Sequence, residues 1–447
     1  MEVSQPFCYI LRMVKLSFFG AAEEVTGSCF LLQDEKSKIL VDCGMFQCPN
    51  FCDIRTRESF PFEPASIDAL FLTHAHIDHS GRIPKLVKEG FRGKIFSSHA
   101  TLDLAEIMLK DSTGVLQKEA RRNNEEVLYT EGDVDKAMSL WEGMEMHEEI
   151  KIGDFSVRFY DAGHILGSIM IAASFNNKKI VFTGDLGNTD MILEKSAEPI
   201  EKPIYFVMEA TYGDRIHEKN ERYLKLERVI EGTIKNRGVL MIPAFSLERT
   251  QELLILISNM MKENKIPLVP VYLDSPLSIK ATAIYEKYLG IPFFKIPNMH
   301  FSLTTEESKK INEIPPPKII IAGSGMSTGG RILHHEKRYL PDKNNALLIV
   351  SYQAPGSLGR RIEDGARKVT IMGEEIPVRC RVETITGYSA HADQKILFEF
   401  VRAHSDTLKK VFLVHSEPKA AFTLAQRFRD YLGIEAVVPK YGDSVEI

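Results

Sequence analysis

Short runs of β-branched and other apolar residues alternate with helix-patterned stretches along almost the whole of the 447-residue chain, and this alternation constrains the fold more than any other feature. It predicts an α/β layered architecture rather than a helix bundle or a sandwich of strands alone. Strands are expected at 38–42, 68–73, 179–183 and 204–208, each running into a polar residue. A second series at 238–242, 268–273, 318–322 and 346–350, with an apolar helix at 251–261 between its first two members, reads as a parallel-sheet unit of its own. The Pro-rich stretch 314–318 is a stiff connector into that unit. The regular pattern begins only at Lys15, so residues before Met13 read as a loose extension. At ~150 residues per domain, the length accommodates two or three domains.

Composition narrows the functions. Fifty-six Lys and Arg against 61 Asp and Glu leave a net charge of −5, too slight to attract a polyanion by bulk field, so local basic residues must hold any nucleic acid. The longest apolar runs, such as 253–257, fall far short of the ~18 residues that would span a bilayer, and the acidic opening is unlike a signal peptide. Five of the six cysteines (Cys8, Cys29, Cys43, Cys48 and Cys52, with Cys380 apart) precede residue 53, which is no secreted disulfide framework. A reducing, cytoplasmic location is expected.

Loops just past strand ends are anchored by the sheet yet free to present side chains, and there the sequence concentrates its chemistry. Thr73-His74-Ala75-His76-Ile77-Asp78-His79 closes one expected strand. Three of the 13 histidines fall within six residues here, too dense for an incidental polar turn, and imidazole nitrogen with carboxylate oxygen is a donor set suited to zinc. His74 and His76 lie on one side of an extended segment and can share an ion, leaving Asp78 and His79 for another. Two sites need further ligands. Asp42, Asp161-Ala162-Gly163-His164, Thr183-Gly184-Asp185 and Phe412-Leu413-Val414-His415 each stand at or shortly past a strand end. Singly, each such residue is more often a turn former or a satisfied polar group, so their order along the chain carries the information.

That order resembles the four motifs of the metallo-β-lactamase fold. Residues 20–27 (Gly-Ala-Ala-Glu-Glu-Val-Thr-Gly), 244–250 (Ala-Phe-Ser-Leu-Glu-Arg-Thr), 323–331 (Gly-Ser-Gly-Met-Ser-Thr-Gly-Gly-Arg) and 353–360 (Gln-Ala-Pro-Gly-Ser-Leu-Gly-Arg) are similar to the β-CASP branch of that superfamily. The branch consists of nucleic-acid-processing nucleases, and the resemblance runs from Lys15 through nearly all the chain. It implies a metallo-β-lactamase αββα sandwich made of residues 1–210 and 380–447, with an α/β β-CASP domain inserted at 211–379. It implies two zinc ions, one on His74, His76 and His164, the other on Asp78, His79 and His415, with Asp185 bridging and Asp42 steering the ligand histidines by hydrogen bonding. Ser416 follows His415 where the family pattern has glycine. The further motifs are matched by Glu209 and His391, which with Asp78 make up the implied catalytic group.

A zinc pair suits phosphodiester hydrolysis, in which the leaving 3′ oxygen needs a proton donor opposite the attacking hydroxide. His391, kept charged by Glu209, fills that role in the resemblance and implies 5′-phosphate and 3′-hydroxyl ends. The small residues around Ser324 and Gly325 would let backbone N–H groups approach a phosphate, with Arg331, Arg360 and Ser389 beside them gripping the backbone without reading bases. Single-stranded RNA is the expected partner in a cleft between the domains, by similarity to cleavage-factor-like and short prokaryotic members. A homodimer or an RNA-processing complex is left open. With 32 residues after His415, no added C-terminal module is expected, which favours endonucleolytic cutting. The competing readings are a 5′-exoribonuclease, a DNA-processing nuclease, and a non-catalytic scaffold subunit. Scaffold copies in the family lack ligands that are all present here.

Overall fold

The computed structural model describes residues 13–47, 54–189, 191–217, 221–354 and 356–447. The extension expected before Met13 lies outside the described residues. Two seven-stranded sheets face each other. The first runs in the order Ser444–Glu446, Lys15–Phe18, Phe30–Gln33, Lys38–Val41, Ala69–Phe71, Lys94–Ser98, Trp141–Met144. The second runs Glu435–Val437, Lys410–Val414, Tyr205–Glu209, Lys178–Phe182, Ile169–Phe175, Phe155–Asp161, Ile150–Ile152.

Strand periodicity explains the layering. Phe30, Leu32, Ile39 and Val41 point inward to meet Val157, Phe159, Ile171 and Phe182 of the facing sheet. Their neighbours Leu31 and Leu40 point outward into a cluster with Leu86, Leu104 and Leu109 of the helices Ile83–Lys88 and His99–Asn123. On the far side, Met170, Val181, Phe206 and Leu413 pack against Leu397, Leu424 and Phe428 of the helices Gln394–Arg402 and Pro418–Leu432. Both faces of each sheet are therefore covered, in an αββα arrangement.

A third sheet, wholly parallel, has the order Met299–Phe301, Val271–Leu273, Lys318–Ala322, Val239–Pro243, Ala346–Ile349, Arg381–Thr384. Its central strands Lys318–Ala322, Val239–Pro243 and Ala346–Ile349 are buried on both faces, as continuous apolar runs such as Lys318-Ile-Ile-Ile-Ala322 require. Leu240, Ile242 and Ile321 meet the helices Arg222–Lys235 and Arg249–Lys262, and Met241, Ile320 and Leu347 meet the helices Ile332–Tyr339 and Leu358–Glu363. The strand Arg381–Thr384 lies beyond the boundary expected at residue 379. It pairs residue for residue with Ala346–Ile349. The inserted helix Pro276–Leu289 docks on His99–Asn123, where Lys287 Nζ reaches Asp103 Oδ2 at 2.7 Å. No helix among the described residues is long and apolar enough to cross a membrane.

Candidate metal centre

The metal loop leaves the strand Ala69–Phe71 and turns into the short helix Ile77–Ser80. Its carbonyls are pinned from the neighbouring strand end: Ser28 N donates to Asp78 O (2.9 Å), Cys43 N to His79 O (2.8 Å) and Met45 N to Ile77 O (3.0 Å). Glycine is required at residue 44, because a Cβ there would lie 1.5 Å from Asp78 O. His164 follows Phe155–Asp161 and is fixed by its own N–H donating to Ser168 Oγ at 3.0 Å. Asp185 follows Lys178–Phe182, and His415 follows Lys410–Val414.

His415 itself takes the left-handed backbone conformation, with φ of +50°. The segment 20–27 compensates the strain: His415 N donates to Ala21 O (2.7 Å) and Ser416 N to Glu24 O (3.1 Å). The turn is thus made at the histidine, and Ser416 needs no glycine-like freedom.

These side chains gather into two groups, and Asp185 forms a further group with Glu209 and His391. His74, His76, His164 and Asp185 form one, Asp78, His79 and His415 the other, each with its ligand atoms within 4.8 Å of one another. Hydrogen bonds at the outer nitrogens set the tautomers. Thr73 Oγ1 donates to Asp42 Oδ2 (2.9 Å) and so accepts from His74 Nδ1 (3.1 Å), leaving the His74 Nε2 lone pair free. Asp42 Oδ2 holds His79 Nδ1 at 2.8 Å. Thr211 Oγ1 donates to His415 O and accepts from His415 Nδ1 at 3.1 Å. The inward atoms converge: His74 Nε2 lies 2.9 Å and His164 Nε2 3.4 Å from His76 Nδ1, while His415 Nε2 is 3.3 Å from Asp78 Oδ2. Asp185 Oδ2 approaches His74 and His164 at 3.3 and 3.5 Å, and its Oδ1 approaches His79 and His415 at 3.4 and 3.8 Å.

Asp185 Oδ1 is buried with no hydrogen-bond partner, and lone pairs facing lone pairs at such distances call for a cation among them. The residues fit a pair of nitrogen- and oxygen-coordinated ions. The charge states agree at the first group, whereas at the second burial would lower His79 and His415 but Asp185, with Asp42 and Asp78, raises both. Burial, reinforced by the charge of neighbouring histidines, lowers His74 to about 4 and His76 to about 3 and takes His164 well below its ordinary value, so all three stay neutral. Burial would raise the Asp185 carboxyl, but His415, His79 and His74 outweigh it and hold Asp185 well below the usual carboxylate range.

His391 is brought in by a strand-like addition. Ala392 N donates to Leu186 O (2.7 Å), and His391 pairs as an isolated bridge with Gly187. Its Nδ1 lies 3.2 Å from both oxygens of Glu209, a wholly buried carboxylate that also accepts from Leu186 N at 2.7 Å. Burial acts to lower the His391 pKa, but Glu209 and Asp185 prevail and raise it to about 9. The ring keeps 21% of its surface exposed, with Nδ1 turned to the carboxylate.

The residues expected to grip phosphate are dispersed. Ser389 is near the centre, its Oγ accepting from His391 N at 3.3 Å. Ser324 Oγ caps its own loop, accepting from Thr328 N (3.0 Å) and Gly329 N (3.2 Å), and Gly325 packs against Phe245. Arg331 is spent on Asp274 Oδ1 (2.7 Å) and the carbonyls of Ser302 and Leu303. Arg360 pairs at the surface with Asp364. Sequence reasoning missed Thr73, Ser168 and Thr211, whose hydroxyls orient the donor set. Only the position of Thr73 inside the histidine loop offered a signal.

Comparison with known proteins accords with this geometry. Residues 22–204 match the profile of the metallo-beta-lactamase superfamily, 250–362 that of the Beta-Casp domain, and 375–439 that of the Zn-dependent metallo-hydrolase RNA specificity domain. Ribonuclease TTHA0252 of Thermus thermophilus is 36% identical over 445 residues, which cover 96% of this chain and 99% of that protein. The chain belongs to the β-CASP branch of the metallo-β-lactamase superfamily. An RNase J-like protein of Methanocaldococcus jannaschii is similar to this β-CASP chain at 33% identity over 97% of it and all of the relative. Transcription termination factor FttA of Methanosarcina mazei is 32% identical over 95% of this chain, which spans 70% of that longer protein. A crystal structure of a protein of unknown function from Enterococcus faecalis V583 shares the fold, with a TM-score of 0.60 at 12% identity over 97% of this chain and 100% of that one. The β-CASP chain is a metal-dependent hydrolase of an RNA nuclease family.

Proposed function

We propose that this β-CASP protein is a zinc-dependent ribonuclease that cuts single-stranded RNA mainly endonucleolytically, leaving 5′-phosphate and 3′-hydroxyl ends. The observation that carries the reading is His391, held by Glu209 at the edge of the double ligand cluster and beside Asp185 (3.9 Å). His74, His76, His164, Asp78, His79, His415 and Asp185 would hold a zinc pair, which when bound would lower the pKa of water toward neutrality and offset charge on the phosphoryl oxygens. Glu209 keeps the His391 ring oriented through Nδ1, so the proton available for transfer sits on Nε2. Donated to the 3′ oxygen as its bond to phosphorus breaks, that proton converts a poor leaving group into a hydroxyl. Ser389 and Asn188 fix the loop that carries His391, Asn188 Nδ2 donating to Ser389 O at 3.0 Å.

The preference for internal cutting is tested with circular single-stranded RNA, which has no ends. The zinc-loaded protein should linearise and then fragment the circle at a rate comparable to the linear 5′-monophosphate form. Degradation of the linear RNA with the circle left intact would overturn the assignment in favour of a 5′-exoribonuclease.

A further inference from the structure

We propose that Cys29 and Cys43 form a reversible disulfide under hydroperoxide, and that closing it loosens the ion held by Asp78, His79 and His415. The second half of this rests on the metal reading above; the first half stands on the strand geometry alone.

The strands Phe30–Gln33 and Lys38–Val41 are antiparallel, with Phe30 opposite Val41. Beyond them, Gly44 N donates to Ser28 O at 2.8 Å. The register has slipped by one residue between these points, so Asp42 and Cys43 together face Cys29 across a bulge, with Asp42 in the left-handed conformation at φ of +60°. Directly opposed residues on antiparallel strands have Cα atoms ~4.5–5.5 Å apart, inside the range that a disulfide spans. Both side chains are wholly buried and belong to the same apolar cluster. Cys380, also buried, has no such sulfur neighbour among the described residues.

Each cysteine adjoins a residue that touches His79: Ser28 Oγ at 3.5 Å and Asp42 Oδ2 at 2.8 Å. Oxidation proceeds in two steps. One sulfur attacks a peroxide oxygen, the O–O bond breaks, and a sulfenic acid and one water form from hydrogen peroxide. The second sulfur then attacks the sulfenic sulfur, the S–O bond breaks, and a second water leaves with the remaining thiol proton. Two electrons pass from the sulfurs to the peroxide. Drawing the sulfurs to the ~2.05 Å of a covalent bond tightens the bulge and pulls Asp42 off His79, since a hydrogen bond tolerates little beyond ~3.2 Å.

The test treats zinc-loaded protein with hydrogen peroxide, blocks remaining thiols, maps disulfides by peptide mass, and follows zinc release to a chromogenic chelator. The expected result is a Cys29–Cys43 disulfide, zinc release faster by ~10-fold from one of two sites, and recovery after reductant and fresh zinc. Cys29→Ala and, independently, Cys43→Ala should keep their zinc under the same treatment. Absence of that disulfide, or its formation with release unchanged, overturns the proposal. Reduced wild-type protein that takes up no zinc would instead refute the function proposed above, whatever disulfide the peptides show.

Discussion

Asp42→Asn isolates what a buried carboxylate does for a metal site it does not enter. Asp42 is 1% exposed and makes three bonds: Oδ1 accepts from Thr73 N (2.8 Å), and Oδ2 from Thr73 Oγ1 (2.9 Å) and His79 Nδ1 (2.8 Å). Asparagine is tolerated at φ of +60°, so the backbone cost is small. Its oxygen can still serve Thr73 N, but its NH2 then occupies the place of Oδ2 and meets two donors. His79 relieves the clash by moving its proton to Nε2, and that removes the lone pair aimed toward Asp185 and the second ion. Loss of an orienting partner of this kind lowers metal affinity by roughly 10–100-fold, or ~1.4–2.8 kcal/mol. Titrating zinc into the metal-free protein against a competing chelator should show two binding steps in the wild type. In Asp42→Asn, the step at Asp78, His79 and His415 should weaken by that factor while the other moves less. Two unshifted steps in a variant of wild-type circular dichroism would refute the tautomer argument.

Other outcomes follow from the same geometry. His391→Ala should retain zinc by elemental analysis and lose ~10²–10⁴-fold in cleavage rate, and loss of the metal instead would make His391 a ligand. Thr211→Val, which strips the hydroxyl from His415 Nδ1, should weaken zinc at the second site with little change at the first in the same titration. Zinc at ~100 times its dissociation constant should stabilise the metal-free protein by ~2.7 kcal/mol per site in denaturant melts. Glu248 is raised to about 8, by burial first and then by the charge of Glu252, so the folded chain keeps a proton that the unfolded chain releases near 4.5. Its contribution is whole below that lower value and is lost as pH rises through about 8. Glu248→Gln should therefore gain at least ~1 kcal/mol relative to wild type between pH 5 and pH 9, and parallel stability curves would contradict this.

The donor set was readable because ligand chemistry is written in residue type and in position just past a strand: His74, His76, Asp78 and His79 are contiguous, and the others stand at strand ends. Side chains that act through partners were not. Nothing local marks Thr211 as the hydroxyl that orients a histidine 204 residues later. Nor does sequence tell whether a guanidinium is free: Arg331 read as a phosphate clamp, yet Asp274, buried 57 residues earlier, holds it in place. The strand Arg381–Thr384 escaped because, at a sheet edge with exposed and half-buried side chains, its Arg-Val-Glu-Thr lacks the apolar run that announced the central strands. The parallel sheet and the two facing sheets were legible in outline because their apolar runs alternate with helices, but only the register reveals the extra residue at Asp42.

The contact between Asp78 and His415 spans 337 residues of chain. On a ribosome, that span is a delay. The histidine loop emerges early and can fold against its own sheet, but Asp78 and His79 wait for a partner until the strand Lys410–Val414 has been made and docked beside Tyr205–Glu209. His391, too, is absent until late. A nascent chain therefore has neither the Asp78–His415 contact nor the Glu209–His391 pair until residues 391–415 have left the ribosome, so the cluster cannot close while the chain is shorter than that.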